Sequence, residues 1–302
     1  MYIFVHRKTK LFIDTTLNMP TMQFRTIVDI PKPKFAIPPC EKMLFVGSCF
    51  AERIGRRFQE EQFRTTVNPY GVMYNPVSIL HTVSKVVESC PEPFRMAFLT
   101  LGTNHVYILK ETGEVVDNCQ KRPQRLFEEK ALDVSQCVEV LQSAVELLRS
   151  QCSDVRVVVT VSPIRYAKYG YHGSALSKAV LLLSAEKLSE MFPETVSYFP
   201  AYEIVNDELR DYRFYQPDML HPSDQTVEYI WQRFSDAYLS QEAKTFIEEW
   251  RPVKEALAHR PFQPDSEAYQ NFRRQTMEKA RELARKYPNM PPLEALFPLQ
   301  GE

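Results

Sequence analysis

The sequence predicts an α/β fold in which a five-stranded, mostly parallel sheet is covered on both faces by helices and followed by a helical extension. Three observations carry this. Short apolar runs of strand length recur through the first 240 residues, separated by stretches of helical periodicity. The first core run, Met43-Leu44-Phe45-Val46, stops on Gly47 and passes directly into an amphipathic pattern, with Ile54 and Phe58 against Arg53, Arg56 and Arg57. Beyond Ser240 only helical signals remain.

Composition narrows the function classes. Of 302 residues, 44% are apolar and 25% charged, ordinary for a globular protein with one large core or two smaller ones. A net charge of −1 without a basic stripe argues against a nucleic-acid partner. No apolar run is long enough to span a membrane, and none reads as a signal peptide. The 6 cysteines show no CxxC pair and no metal-ligand spacing, which points to reduced thiols and a cytoplasmic location. No His-Glu pairing on a helix and no Gly-rich phosphate loop calls for a metal or cofactor, so none is expected.

The elements follow in order. Residues 1–21 read as a loose extension, with Met19 and Met22 as alternative starts; 22–240 form the main domain; 241–302 form a helical extension packed on the core. Phe24–Val28 and Ile30–Pro33 lead in as extended chain. After the Gly47 turn and its helix, Phe63–Val67 reads as a strand. Asn75 then caps a helix that opens on Pro76 and runs over Val77–Val87. Arg95–Leu101 is the third strand, stopping at Gly102-Thr103-Asn104. Val106–Lys110 and Glu114–Asp117, joined through Glu111-Thr112-Gly113, form a β-hairpin outside the βα rhythm. A helix covers Ser135–Arg149, a strand Val155–Val161, a loop contains Gly170 and Gly173, and a helix covers Ser174–Phe192. The fifth strand is Val196–Phe199, and a helix follows Ser223 to Leu239. Ala243–Trp250 and Glu267–Tyr287 supply the helical end, whose charged residues read as a solvated face.

The chemistry sits at strand ends. A turn from strand to helix exposes its residues at the carboxyl edge of the sheet, where open α/β folds bind ligands and a helix N-terminus offers free N–H groups. Ser48 and Cys49 occupy that turn, and a nucleophile there is expected to have a depressed pKa. Asp218-x-x-His221 places a carboxylate and an imidazole on one turn, so Asp218 can hold Nδ1 while Nε2 faces a nucleophile. Gly71 and Gly102-Thr103-Asn104 supply N–H or amide donors between them. Each part has an ordinary alternative. Small residues fill tight turns, Asp-x-x-His caps helices, and Gly71 and Asn104 serve turns and strand ends. His105 and His172 read as loop histidines and Cys119 as a small hydrophobe.

The order of these motifs resembles the SGNH hydrolase superfamily. Val46-Gly47-Ser48-Cys49-Phe50-Ala51 resembles the motif that names the GSCFA domain family, a branch grouped with it. Asn68-Pro69-Tyr70-Gly71, Val161-Ser162-Pro163, Ser177-Lys178-Ala179 and 207–214 are similar to that family too. The resemblance implies a flavodoxin-like, SGNH-type three-layer fold. It also implies an acyl-ester hydrolase or acyltransferase acting on a small O-acyl group, including one carried by a carbohydrate. Aligned on Gly47, Ser48 falls where the superfamily has Asp and Cys49 falls on its nucleophile. A Cys49–His221–Asp218 triad is therefore implied at least as readily as a Ser48 one, and Cys49 is preferred. The nucleophile's own N–H, Gly71, Asn104 and Gly102 are the implied oxyanion donors; Asn68, Tyr70 and Asn118 are the expected substrate contacts. The alternative is a carbohydrate- or metabolite-binding module that keeps the pocket without the chemistry; Tyr70, Tyr74, Tyr107, Tyr166 and Tyr202 would suit sugar stacking in either case.

Overall fold

The computed structural model describes residues 24–263 and 265–293. The expected N-terminal extension lies outside the described residues. The elements run β1 (Lys42–Gly47), α1 (Cys49–Glu60), β2 (Arg64–Val67), α2 (Pro76–Ser89), β3 (Met96–Leu101), β4 (His105–Leu109), β5 (Val115–Val116) and β6 (Phe127–Ala131). Then come α3 (Val134–Gln151), β7 (Arg156–Val161), α4 (Gly170–Met191), β8 (Val196–Tyr198), the short α5 (Ala201–Glu203), α6 (Asp224–Tyr238), α7 (Gln241–Ala258) and α8 (Glu267–Lys286).

The main sheet has five strands in the order β2-β1-β3-β7-β8, all parallel. Counted within the sheet, this is the flavodoxin-like order, whose ligand position is the switch point between its first and third strands. Both faces of β1 are buried, as a central parallel strand requires. Its Met43 and Phe45 enter an aromatic layer with Phe58, Phe98, Trp231 and Phe234, under α1 and α6. Its Leu44 and Val46 enter an aliphatic layer with Ile79, Leu141 and Leu181, under α2, α3 and α4. Phe58 sits edge-on to Phe63, Trp231 and Phe234 at centroid distances of 5.0, 4.6 and 5.8 Å.

Two expectations need correction. The hairpin is not alone: β6 pairs antiparallel with β4 and completes a three-stranded sheet, order β5-β4-β6. The β6 sequence Phe-Glu-Glu-Lys-Ala buries only Phe127, so a period-2 apolar signal is missing. The expected loop around Gly170 and Gly173 is helical from Gly170 onward, with Gly170 at φ +70 marking the entry. Asn75 caps α2 as expected, its Oδ1 accepting from Ser78 N at 3.0 Å. Helix α7 rests on the core: Trp250 Nε1 donates to Glu60 O at 2.9 Å, and Trp250 clusters with Cys40, Phe246 and Ala280 of α8.

The tightest joint in the sheet is at Gly47. Its φ is +138, and a Cβ there would fall 2.2 Å from Thr100 O and 2.4 Å from Thr100 Oγ1. Only glycine meets both demands. Gly47→Ala should therefore cost at least about 2 kcal/mol of stability, from backbone strain and overpacking together. Urea unfolding monitored by circular dichroism checks this; a loss below about 0.5 kcal/mol, the level of a neutral surface change, would contradict it.

Candidate active site

The site begins with the turn that Gly47 permits. Ser48 N donates to Thr100 Oγ1 at 2.8 Å, and Gly47 N donates to Asn68 Oδ1 at 2.9 Å. Met73 N closes the opposite side by donating to Gly47 O at 2.9 Å. The turn is thus tied to β3 on one flank and to the β2–α2 loop on the other. Ser48 caps α1, its Oγ accepting from Phe50 N at 3.3 Å. That hydroxyl also lies 3.1 Å from Thr100 Oγ1 and 3.0 Å from Ser162 Oγ. Ser48 is 1% exposed. Adjacent residues of a turn point apart, and here Ser48 points into a closed hydroxyl network while Cys49, the first helical residue, is half-buried and reaches the surface.

Electrostatics at Cys49 oppose the expected depression. Burial raises its thiol pKa above the ordinary value, and the Glu52 carboxylate raises it further. Its own backbone N–H, Arg53 and Lys178 pull the other way without overcoming burial. The helix N-terminus thus favours the thiolate, but desolvation outweighs it. Tyr74 is electrostatically coupled to Cys49 and raised by burial first.

Asp218 and His221 meet as expected. His221 Nδ1 lies 2.6 Å from Asp218 Oδ2, and Asp218 Oδ1 accepts from Leu220 N and His221 N at 2.9 and 3.0 Å. The backbone N–H groups of His221 and Leu220, then the imidazole, hold the Asp218 carboxyl down at about 2. The loop is fastened on two sides. Arg165 N donates to Leu220 O at 3.0 Å and Arg165 Nη1 to Met219 O at 3.2 Å. From α1, Arg53 Nη1 donates to Pro222 O at 2.9 Å and pairs with Asp224. Arg53 lies one helical turn beyond Cys49, so the imidazole loop is anchored to the helix that begins with the thiol. Among the described residues, no hydrogen bond joins His221 to Ser48 or Cys49.

Of the implied oxyanion donors, Gly71, Gly102 and Asn104 are engaged elsewhere. Gly71 N donates to Asn68 O at 2.9 Å, closing its own turn at φ +96. Gly102 N donates to Tyr74 O at 2.9 Å, and a Cβ there would meet that same oxygen. Asn104, 4% exposed, gives Nδ2 to Leu132 O at 2.7 Å, tying the entry of β4 to the end of β6; its Oδ1 is buried without a partner. Of the expected substrate contacts, Asn68 serves the turn and leaves its Nδ2 buried and unpaired. Tyr70 lies out over α2, beside Ser89 and Lys85. Asn118 borders a cavity.

That cavity, of about 230 Å³, is lined by Tyr74, Asn75, His105, Tyr107, Asn118 and Tyr166 among others. Three of the five tyrosines singled out in the sequence therefore meet in it; Tyr202 packs against the aliphatic layer instead. His105 stacks on Tyr169, rings 3.9 Å apart, and burial lowers its pKa. His172 is exposed. Cys119 also borders the cavity. The second sheet thus supplies a wall: β4 contributes His105 and Tyr107, and β5 contributes Val116.

Sequence reasoning missed Thr100, Ser162, Arg53, Arg165 and the role of Lys178. Thr100 was detectable as the one hydroxyl in an otherwise apolar β3, and Lys178 as a charge on the buried stripe of α4. Arg53 and Arg165 carry no such signal, because their partners, Pro222 O, Met219 O and the Asp224 carboxylate, are distant in sequence.

The chain belongs to the GSCFA family, whose model matches residues 42–94 and 92–234; the model of the GSCFA domain protein C-terminal domain matches 250–295. No curated protein matches the chain. Among solved structures, it is similar to a member of the lipolytic protein G-D-S-L family from Veillonella parvula, at 13% identity and TM-score 0.44, covering 66% of this chain and 98% of that one. It is also similar to a carbohydrate esterase family 3 protein from Talaromyces cellulolyticus, at 10% identity and TM-score 0.38, covering 69% and 99%. A third is AlinE4, an SGNH-hydrolase family esterase, at 15% identity and TM-score 0.37, covering 67% and 96%. Among the described residues, no group of three or more His, Cys, Asp or Glu side chains could hold a metal ion, and no described helix is long and apolar enough to cross a membrane.

Asp218 provides a pH prediction. Its folded pKa lies below the ordinary 3.8, so its contribution to stability is complete above that range and is lost as pH falls through about 2. Carboxyl NMR should show Asp218 still ionised at pH 3; a midpoint near the ordinary value would mean that the Asp218–His221 turn is not formed.

Proposed function

We propose that this protein is an acyl-ester hydrolase or acyltransferase that takes a small O-acyl group, including one carried by a carbohydrate, onto Cys49. The observation that carries the reading is the split between the two turn residues. Ser48 is sealed behind Thr100 and Ser162, while Cys49 begins α1 and reaches the surface. In this reading the Cys49 sulfur attacks the acyl carbonyl, the C–S bond forms, and the carbonyl electrons move to oxygen. His221, held by Asp218, returns the thiol proton to the leaving alcohol, and water or a second alcohol then releases the thioester.

Of the expected oxyanion donors, this reading keeps the nucleophile's own N–H. Gly71, Gly102 and Asn104 have the N–H partners described above. The backbone N–H of Cys49 and Nδ2 of Asn75, a cavity-lining side chain whose Oδ1 caps α2, are the donors this reading uses. His221 reaches Cys49 by a shift of the 218–222 loop about its Arg53 and Arg165 anchors, since apo hydrogen bonds of a catalytic base often form only with substrate. The cavity beside Tyr74 suits a small acyl or sugar group, being below the usual size of a drug-like site.

The missing hydrogen bond between His221 and Cys49 favours the second reading, a binding module for small carbohydrates or metabolites. Both readings involve a small molecule and neither involves nucleic acid or membrane.

Intact-protein mass after incubation with an activated acetyl ester, followed by peptide mapping, separates them. The enzyme reading expects an acetyl group on Cys49, absent in Cys49→Ala. In His221→Ala, turnover should fall by about 10²-fold or more. Ser48→Ala should keep the adduct and lose about 1 kcal/mol of stability with its cap. No adduct on Cys49 or Ser48 would leave the binding module.

A further inference from the structure

Helix α4 turns Ser174, Ser177, Lys178, Leu181, Ala185 and Leu188 to the interior. Lys178 is the single charge on that stripe and is 3% exposed. Lysine is almost never buried unless paired, because an ammonium loses several kcal/mol of hydration on leaving water. Nζ donates to Gly102 O and to Ser162 O, each at 2.8 Å. Carbonyls replace part of the lost water but carry no net charge. Among the described residues no carboxylate pairs with Lys178, and its third proton has no hydrogen-bond acceptor.

The two carbonyls place the ammonium. Ser162 also holds Ser48, with the two Oγ atoms 3.0 Å apart. Gly102 follows β3, whose Thr100 receives Ser48 N. Lys178 therefore lies beneath the same turn that presents Cys49, bridging the carboxyl ends of β3 and β7. The charges of Lys178 and Cys49 act on each other in both directions: the ammonium favours the thiolate, and the thiolate favours the ammonium. Burial pushes Lys178 down to about 7, and the thiolate is the one ionisable group that holds it up.

We propose that Lys178 is the counter-ion of the Cys49 thiolate, a positioning residue under the nucleophile turn that stabilises the anionic sulfur. The proposal rests on the reading of Cys49 as the nucleophile. Lys178 keeps its three protons as an ammonium; the Sγ proton passes to water or, once the 218–222 loop shifts, to His221, and no co-reactant is needed. The ammonium lets Cys49 ionise in a structure where His221 makes no hydrogen bond to it. Other groups act on Cys49 too. On α1, Glu52 opposes the anion and Arg53 supports it, while Arg53 is already engaged by Pro222 O and Asp224. Tyr74, ahead of α2, is raised by burial and by Cys49. Among these, Lys178 is the one cation without a counter-charge of its own.

The test is the pH dependence of Cys49 alkylation by iodoacetamide, followed at the Cys49 peptide in the full chain. Peptide resolution separates Cys49 from Cys40 and Cys137, whose thiols burial pushes up to about 12. Lys178→Met should raise the Cys49 midpoint and slow its alkylation at neutral pH by about tenfold or more, a shift of one unit being a factor of ten. Lys178→Arg, which keeps the charge, should hold the rate near wild type. An unmoved midpoint in a folded Lys178→Met protein overturns the proposal. If Lys178→Met does not fold, Cys49→Ala carries the test. Linkage is reciprocal, so removing the thiol should lower the Lys178 midpoint, followed by NMR of its side chain, and an unmoved lysine overturns the proposal equally. Failure of the two ideas is distinguishable. A wild type that takes no acetyl group on Cys49 removes the enzyme reading and leaves both titrations standing. An intact adduct with unmoved titrations removes the counter-ion alone.

Discussion

Everything at the candidate site depends on how closely the turn after β1 approaches β3. Gly47 has no Cβ, and Thr100 occupies the space a Cβ would need. That contact lets Thr100 take Ser48 N, which fixes the direction of the first turn of α1. Once the direction is set, Ser48 and Cys49 cannot share a face. Ser48 goes inward to Thr100 and Ser162, and Cys49 goes outward at the helix N-terminus. The fold does not choose a nucleophile by chemical preference. On the proposed reading, the nucleophile is set by which side chain the turn leaves accessible.

The same joint explains why a thiol here has an unusual electrostatic setting. The helix N-terminus, Arg53 and Lys178 favour the anion, while burial and Glu52 oppose it, and burial wins. A thiol in this position stays protonated until something lowers the cost of its charge. On the proposed reading, two groups lower that cost. One is a buried ammonium without a carboxylate; the other is an imidazole on a loop fastened to α1 and to Arg165. An ammonium and an imidazole therefore lie on two sides of this turn, one inside the sheet edge and one on the loop outside it.

Much of the fold was readable from the sequence because parallel strands buried on both faces are continuous apolar runs, and β1, β3 and β7 are such runs. Asn75-Pro76 announced the start of α2 through capping chemistry. Strand β6 was hidden because four of its five residues are at least partly exposed and three are charged. At the site, Asp218-x-x-His221 was legible because both partners lie on one turn. The engagement of Gly71, Gly102 and Asn104 was not, since Tyr74 O, Asn68 O and Leu132 O are backbone acceptors that no residue pattern marks. Lys178 was quoted only as part of a family-like stretch. Its meaning depends on burial, which helical periodicity indicates but a single lysine in that stripe contradicts.

The central claim is that Cys49, and not Ser48, meets the acyl group. A crystal structure of His221→Ala protein soaked with an activated acetyl ester tests it most directly. Density continuous with Cys49 Sγ is expected, extending toward Tyr74 and its cavity, with Ser48 Oγ still between Thr100 and Ser162. Acyl density on Ser48 Oγ, with that hydroxyl network opened, would contradict it.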